Sequence, residues 1–301
     1  MDNKRFYNIF YIIALLIGLF SIAGLSIQAA EVPLVDFSTT TIRPGDFLQV
    51  RVREVSQTVV TVKFLERTKE LCPAVEGGAL IGLVAAPYRT QPGKYPLVLE
   101  VKSPQGNQVK EQMIEVVPRK FVEQRIRVSE KMRESTSTDD KVEADAKVGA
   151  EVRAKAESRR LSPLWDGAFV RPLAGEKTSD FGLIRYVNDI EHGRHSGWDL
   201  AGKTGTPVMA MNKGQVVFAG KLYSSGNTVI IHHGMDLYTS YAHLSKISVK
   251  EGVLVTKGQI VGKVGMTGLA TGPHLHLTVR VGDVPVDPAL LVGNTIDWSK
   301  I

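Results

Sequence analysis

Histidine is absent from the first 191 residues of this 301-residue chain, and all seven copies fall between His192 and His276. So uneven a distribution asks for a local cause in the C-terminal region. Cysteine is almost absent: with Cys72 alone there is no internal disulfide, and every folded region must be held by core packing. Cys72 itself reads as a buried small hydrophobe rather than a nucleophile. The helical His-Glu-x-x-His motif is missing, which excludes that kind of metal site. A concentrated basic stripe is missing as well. The formal charge is +6, yet residues 165–301 hold 13 Lys or Arg against 11 Asp or Glu, so nucleic acid is not an expected partner. The mild positive balance suits weak attraction to anionic polymers.

Charge is also lacking near the start. Residues 9–27 form a 19-residue run without a charged side chain, behind Lys4 and Arg5. That length stands between a cleaved signal, whose apolar core is shorter, and a membrane span of about 20 residues. Ala29 and Ala30 offer a cleavage point, but Ile27 or Gln28 three residues before the cut fits poorly, which favours a retained anchor. With either outcome residues 1–30 place the rest of the chain outside the cytoplasm, anchored or secreted.

At 301 residues the chain has room for two domains. Residues 31–118 read as all β. Leu48, Val50 and Val52 alternate with polar neighbours, Val60, Val62 and Phe64 repeat the pattern, and Pro92-Gly93 marks a turn before Tyr95, Leu97, Leu99 and Val101. Short strands at this spacing predict a small β-sandwich of immunoglobulin type. Residues 119–164 change to Lys, Arg, Glu and Ala, with residues 135–138 interrupting two helix-prone halves. Apolar positions are too sparse for a core, so this is expected to be a charged helical linker, with a partner-binding helix as the sharper alternative. From Phe169 onward apolar strands recur between glycine turns, at residues 208–211, 215–219, 229–232, 237–242, 260–264 and 274–281. Residues 165–301 are therefore expected to form an antiparallel β-domain.

The chemistry is concentrated there. His274-Leu275-His276 opens a strand-like run, and strand alternation points both imidazoles the same way with Cα atoms about 6.6 Å apart. Imidazole is a common zinc ligand. Upstream, His195 and Asp199 are four residues apart beside Gly197, which disfavours a helix. In extended chain their Cα atoms stand about 13 Å apart, so a bend near Gly197 is required for both to reach one ion. His195, Asp199 and His276 would supply three protein ligands and leave a fourth tetrahedral position for water, the mark of a catalytic zinc site.

His195-x-x-x-Asp199, Tyr241-Ala242-His243-Leu244-Ser245 and Thr271-Gly272-Pro273-His274-Leu275-His276 occur in that order. Together they resemble the lysostaphin-type, or LytM, peptidoglycan metallopeptidases. Gly205-Thr206-Pro207-Val208, Gly226-Asn227-Thr228-Val229 and Gly258-Gln259-Ile260-Val261-Gly262 extend the resemblance over residues 167–290. It implies an antiparallel β-domain with zinc at the base of a groove, and an exported zinc endopeptidase that cuts peptide cross-links of the bacterial cell wall through a zinc-bound water. It also implies that His243 and His274 flank that water, one as general base and the other stabilising the tetrahedral intermediate; the assignment between them stays open.

Two departures from the family pattern stand out. Leu277 and Thr278 follow His276 where an aromatic and an acidic residue are usual, which bears on support of the ligand or on groove shape. The segment before Gly226 reads Ser224-Ser225 in place of the usual Gly-Tyr approach. The competing reading is a non-hydrolytic envelope protein that binds peptidoglycan or activates another hydrolase, so envelope protein partners are also considered. A third reading is an autoinhibited precursor in which residues 31–164 supply a donor to the open position; the sequence names no such donor. Of the remaining histidines, His192 is read in a loop spanning residues 188–194, His233 at a turn and His232 facing solvent. Tyr241 is read as either groove wall or core.

Overall fold

Alternation in the sequence becomes strand geometry in the computed structural model, which describes residues 33–53, 58–75, 78–104, 106–127, 139–157 and 162–301. The expected signal or anchor and the interruption at residues 135–138 lie outside the described residues. Among the described residues the fold is mostly β with one α-helix, Asp139–Glu157, and none of its helices is long and apolar enough to cross a membrane.

Two sheets face each other in the N-terminal region. Leu34–Phe37, Phe47–Arg53, Leu80–Ala85 and Cys72–Pro73 form one; Thr41–Ile42, Gly106–Val116, Gly93–Ser103, Val59–Phe64 and Arg67–Glu70 form the other. Leu48, Val50, Val52, Val60, Val62, Phe64, Leu97, Leu99 and Val101 are all buried between them, as period-two alternation requires. The strand Leu80–Ala85 is apolar on both faces for a reason local patterning does not reveal. Val84 enters the sandwich core, whereas Ile81, Leu83 and Ala85 on the opposite face join the core of the C-terminal region. Cys72 is buried, 7% exposed, in that same cluster.

The C-terminal region is built on a large antiparallel sheet. Its strand order is Lys177–Ser179, Trp198–Ala201, His274–Val281, Leu237–Leu244, Gly226–His232, Gly214–Leu222 and Leu254–Val255, with Val284–Val286 pairing on His274–Val281 as well. A small three-stranded sheet, Pro207–Met209, Ile260–Lys263 and Lys246–Ile247, packs beside it. These strands match the expected apolar runs to within a few residues.

Several local expectations are corrected. Residues 184–194, read partly as a loop, form a hairpin of Ile184–Val187 and Ile190–Arg194 that turns at Asn188 and Asp189, both at positive φ (50° and 64°), so His192 sits on a strand. Glu123–Ile126, inside the stretch expected to be helical linker, adds to this hairpin as a parallel strand on Ile184–Val187. His232 does not face solvent; it is 1% exposed and its ring stacks on Tyr238 at 4.6 Å. His233, at its turn, is fully buried, with Nδ1–H donating to the Lys213 carbonyl at 2.8 Å and Nε2 2.8 Å from the Thr239 hydroxyl. Burial pushes it down to about 4 against the opposing carbonyl bond. Tyr241 is core: its hydroxyl accepts from the Met211 amide at 2.8 Å, and burial pushes it up to about 12.

Candidate metal centre

Three adjacent strands of the large sheet build the site. Trp198–Ala201 and His274–Val281 pair so that Asp199 stands directly opposite His276 and Ala201 opposite His274. On the other side of His274–Val281, Ala242 is the partner of His276. Direct cross-strand partners point to one face, so Asp199 and His276 meet without any loop to place them.

His195 comes from between two sheets. The strand Ile190–Arg194 ends before it and Trp198–Ala201 begins after it, so residues 195–197 make the bend that the spacing to Asp199 requires. Gly197 is required there by contact: a Cβ at that position would lie 2.0 Å from the Leu277 carbonyl oxygen. The bend brings His195 Nε2 to 3.0 Å from Asp199 Oδ1 and 3.0 Å from His276 Nδ1, and His276 Nδ1 lies 2.8 Å from Asp199 Oδ1. The three side chains form the metal-capable group found among the described residues, with ligand atoms all within 4.8 Å. None of the described residues between 33 and 164 contributes a donor to it.

The chemistry of this set fits zinc. Two imidazole nitrogens and one carboxylate oxygen are zinc donors, and tetrahedral bonds of about 2.0–2.1 Å set donors roughly 3.3 Å apart. The observed triangle is within about half an ångström of that spacing on every side. Burial acts to raise the Asp199 carboxyl, but hydrogen bonds from His195 and His276 and their charges outweigh it and hold the group well below the ordinary carboxylate range. Burial lowers His276, partly offset by its bond to Asp199. Both the lowered carboxyl and the lowered imidazole are in the form that binds a cation.

Each imidazole is oriented through its far nitrogen. His195 Nδ1–H donates to the Asp180 carbonyl at 2.8 Å, with the Ser179 hydroxyl at 3.2 Å, which leaves Nε2 for the centre. His276 Nε2 lies 3.0 Å from the Thr278 hydroxyl, which leaves Nδ1. Thr278 thus supplies the support that the departure from the family pattern put in question, from two residues along the same strand face. In the sequence Thr278 stood out only as a substitution; that it shares a face with His276 was the signal for its role.

His243 and His274 stand beside the triangle. His274 Nδ1–H donates to the Gly272 carbonyl at 2.8 Å, and its Nε2 is 3.7 Å from Asp199 Oδ1. His243 Nδ1–H donates to the Thr267 carbonyl at 2.8 Å, and its ring centroid is 4.7 Å from that of His274 and 5.9 Å from that of His276. Simple alternation would send His243 to the core side with Tyr241. A bulge prevents this: Asn227 pairs with Leu244 and Val229 with Tyr241, so an extra residue is inserted in the strand, and His243 takes a φ of 60°. Burial lowers His243 to about 4, so it is neutral near pH 7. The side chains of His195, Asp199, His274 and His276 keep 16–22% of their surface exposed, enough for a substrate to reach them.

Comparison with known proteins agrees with this geometry. The model of peptidase family M23 matches residues 193–288, which contain all five residues of the site. DD-carboxypeptidase/endopeptidase Mpg of Neisseria meningitidis serogroup B is 46% identical over 94 residues, 31% of this chain and 22% of that protein. Peptidoglycan DD-endopeptidase ShyA of Vibrio cholerae is 46% identical over 93 residues, again 31% and 22%. This chain therefore spans less than a quarter of the length of these curated relatives. A Pseudomonas aeruginosa crystal structure assigned to peptidase M23 is 31% identical, covering 83% of this chain and 95% of that one with a TM-score of 0.60. The likeness reaches well beyond the region of the metal centre, and the chain belongs to peptidase family M23.

Proposed function

We propose that this chain is an exported zinc endopeptidase that hydrolyses peptide cross-links of peptidoglycan, with His195, Asp199 and His276 holding one zinc ion per chain. The observation that carries the reading is the convergence of three zinc-type donors, two of them imidazoles tied down at the far nitrogen, with their side chains still partly exposed. When bound, zinc supplies Lewis-acid polarisation of a carbonyl and lowers the pKa of water.

His243 and His274 do the proton work. With Nδ1–H committed to a backbone carbonyl, each has Nε2 as the nitrogen left for proton exchange. One Nε2 takes a proton from the attacking water; the other ring, carrying at Nε2 a proton taken up from solvent before the attack and held throughout, donates to the oxygen that gains negative charge as the peptide carbonyl becomes tetrahedral. The later transfer of a proton to the departing amine returns the base to its neutral state. The names of the Neisseria and Vibrio relatives support a bond between D-amino acids as the one cut.

The layout that serves this activity is a signal or anchor in residues 1–30, an immunoglobulin-like sandwich in 31–118, a linker in 119–164 and the peptidase domain in 165–301. The two facing sheets and the Lys and Arg preceding the apolar run support it, and the family supports the proposed placement in the cell envelope, outside the cytoplasmic membrane.

Metal analysis joined to digestion of purified peptidoglycan tests the reading. The expected result is about one zinc per chain, release of peptide fragments from directly cross-linked wall, and loss of release on chelation and in His276→Ala and His274→Ala. Zinc bound with no fragments from any wall type would overturn it in favour of a peptidoglycan-binding or hydrolase-activating protein.

A further inference from the structure

We infer that Asp145, on the helix Asp139–Glu157, is a positioning residue for His243. This rests on the hydrolytic reading above and extends the site to a segment upstream of the family's matched region. The helix is fastened at two places. Towards its C-terminus Val152 and Ala156 pack on Val217, Ile230 and Tyr238, and the Tyr238 hydroxyl donates to the Arg153 carbonyl at 3.1 Å. Roughly 10–16 Å earlier along the helix axis, the Asp145 carboxylate caps the turn at residues 223–225. Oδ1 accepts from the Tyr223 amide at 2.9 Å, and Oδ2 accepts from the Ser224 amide at 2.5 Å and the Ser224 hydroxyl at 2.6 Å.

That turn holds His243 from two directions. The Ser225 carbonyl accepts from the His243 amide at 2.8 Å. The Ser224 carbonyl accepts from the Leu269 amide at 2.8 Å, which fixes the segment whose Thr267 carbonyl receives the His243 ring N–H. Thr267 Oγ1 in turn accepts from the Asn227 amide at 2.9 Å. A histidine at a φ of 60° is in a disfavoured conformation that persists only while its surroundings over-determine it. Asp145 satisfies three donors of the turn that supplies this restraint. Loss of its carboxylate frees the turn, and the bulged His243 relaxes with it, while the zinc donors, on the two paired strands and the bend at residues 195–197, stay in place. Ser224-Ser225, one of the departures from the family pattern, is the stretch that Asp145 caps.

The test uses the full-length zinc-loaded protein and the variants Asp145→Ala, Asp145→Asn and Ser224→Ala. Alanine is the better helix former, so Asp145→Ala does not weaken the helix itself. The expected result is zinc content and Tm close to wild type and KM within about twofold, with kcat lowered roughly tenfold in Asp145→Ala and less in Asp145→Asn and Ser224→Ala, which keep some of the bonds. Amide hydrogen exchange at Ser224 and His243 should rise in the same order. Unchanged exchange at His243, or a rise spread over the whole chain with a lowered Tm, would overturn the inference. The exchange readout needs no hydrolysis: a wild-type protein that releases no fragments overturns the proposed function, and exchange alone then decides whether Asp145 restrains His243.

Discussion

Asp199 and His276 are direct partners across two antiparallel strands, with Asp199 Oδ1 2.8 Å from His276 Nδ1. The sheet itself therefore sets two of the three donors, and only His195 depends on a bend. Asp199→Ala removes the carboxylate donor and with it two of the three close contacts of the triangle. Zinc content should fall from about one per chain to near none, a larger loss than the roughly 10- to 100-fold typical of removing a supporting hydrogen bond. Fragment release should vanish with it, while the fold persists because His195 keeps its bond to the Asp180 carbonyl and His276 its contact with the Thr278 hydroxyl. Elemental analysis after dialysis, paired with circular dichroism, checks both halves.

Thr278→Val keeps shape and removes the hydroxyl 3.0 Å from His276 Nε2. The ring then loses the partner that leaves Nδ1 facing the centre. Zinc affinity should drop by roughly 10- to 100-fold, measured by competition with a chromogenic chelator. An unchanged dissociation constant would remove Thr278 from this role.

His233 gives a pH dependence remote from the metal. Its folded pKa is pushed down to about 4 from an ordinary 6.5, so between those values the unfolded chain binds a proton that the folded chain refuses. Stability therefore rises with pH from about 4 to 6.5 and is lost on acidification through that window. At about 1.4 kcal/mol per unit, the largest contribution is on the order of 3 kcal/mol. Urea unfolding at pH 7 and pH 4.5 should show the fall, and His233→Gln should flatten the slope while lowering stability at pH 7, because its bonds to Lys213 and Thr239 are disturbed.

Where burial and period agreed, the chain was readable. Leu48, Val50 and Val52 alternate and are all buried, and His274 and His276 share a face as their spacing requires. The need for a bend at Gly197 was legible too, because a fixed strand rise cannot bring His195 to Asp199. What escaped was set by tertiary contact. His243 reaches the site through a bulge, and its motif gives no local sign of one. His232 looked solvent-exposed because nothing in sequence reveals that Tyr238 lies over its ring. Leu80–Ala85 has apolar residues on both faces because a second core covers it, and Asp145 looked like one more charge on a solvated helix.

Arg119 tests whether the N- and C-terminal regions are one cooperative unit. It forms an ion pair with Asp287 of the C-terminal region and lies 3.4 Å from Asp46 of the sandwich, with side chains only 12–16% exposed. Its guanidinium also sits 5.0 Å over Phe121 and 5.5 Å over Phe181. Arg119→Met keeps the apolar contacts and strands the poorly solvated Asp287 carboxylate, while Asp46 retains Arg43 at 3.0 Å. Breaking such a pair by removing one partner costs about 3–5 kcal/mol when it is fully buried; with one carboxylate still paired, about 3 kcal/mol is expected. Adding Asp287→Asn should recover some of that loss, since the amide carries no stranded charge, while its oxygen still accepts from the Ala289 amide as Asp287 does. Calorimetry should record a single transition that moves as one in each variant, because Ile81, Leu83 and Ala85 continue the same core into the C-terminal sheet. Two separate transitions, with only one responding to Arg119→Met, would mean that the regions melt independently.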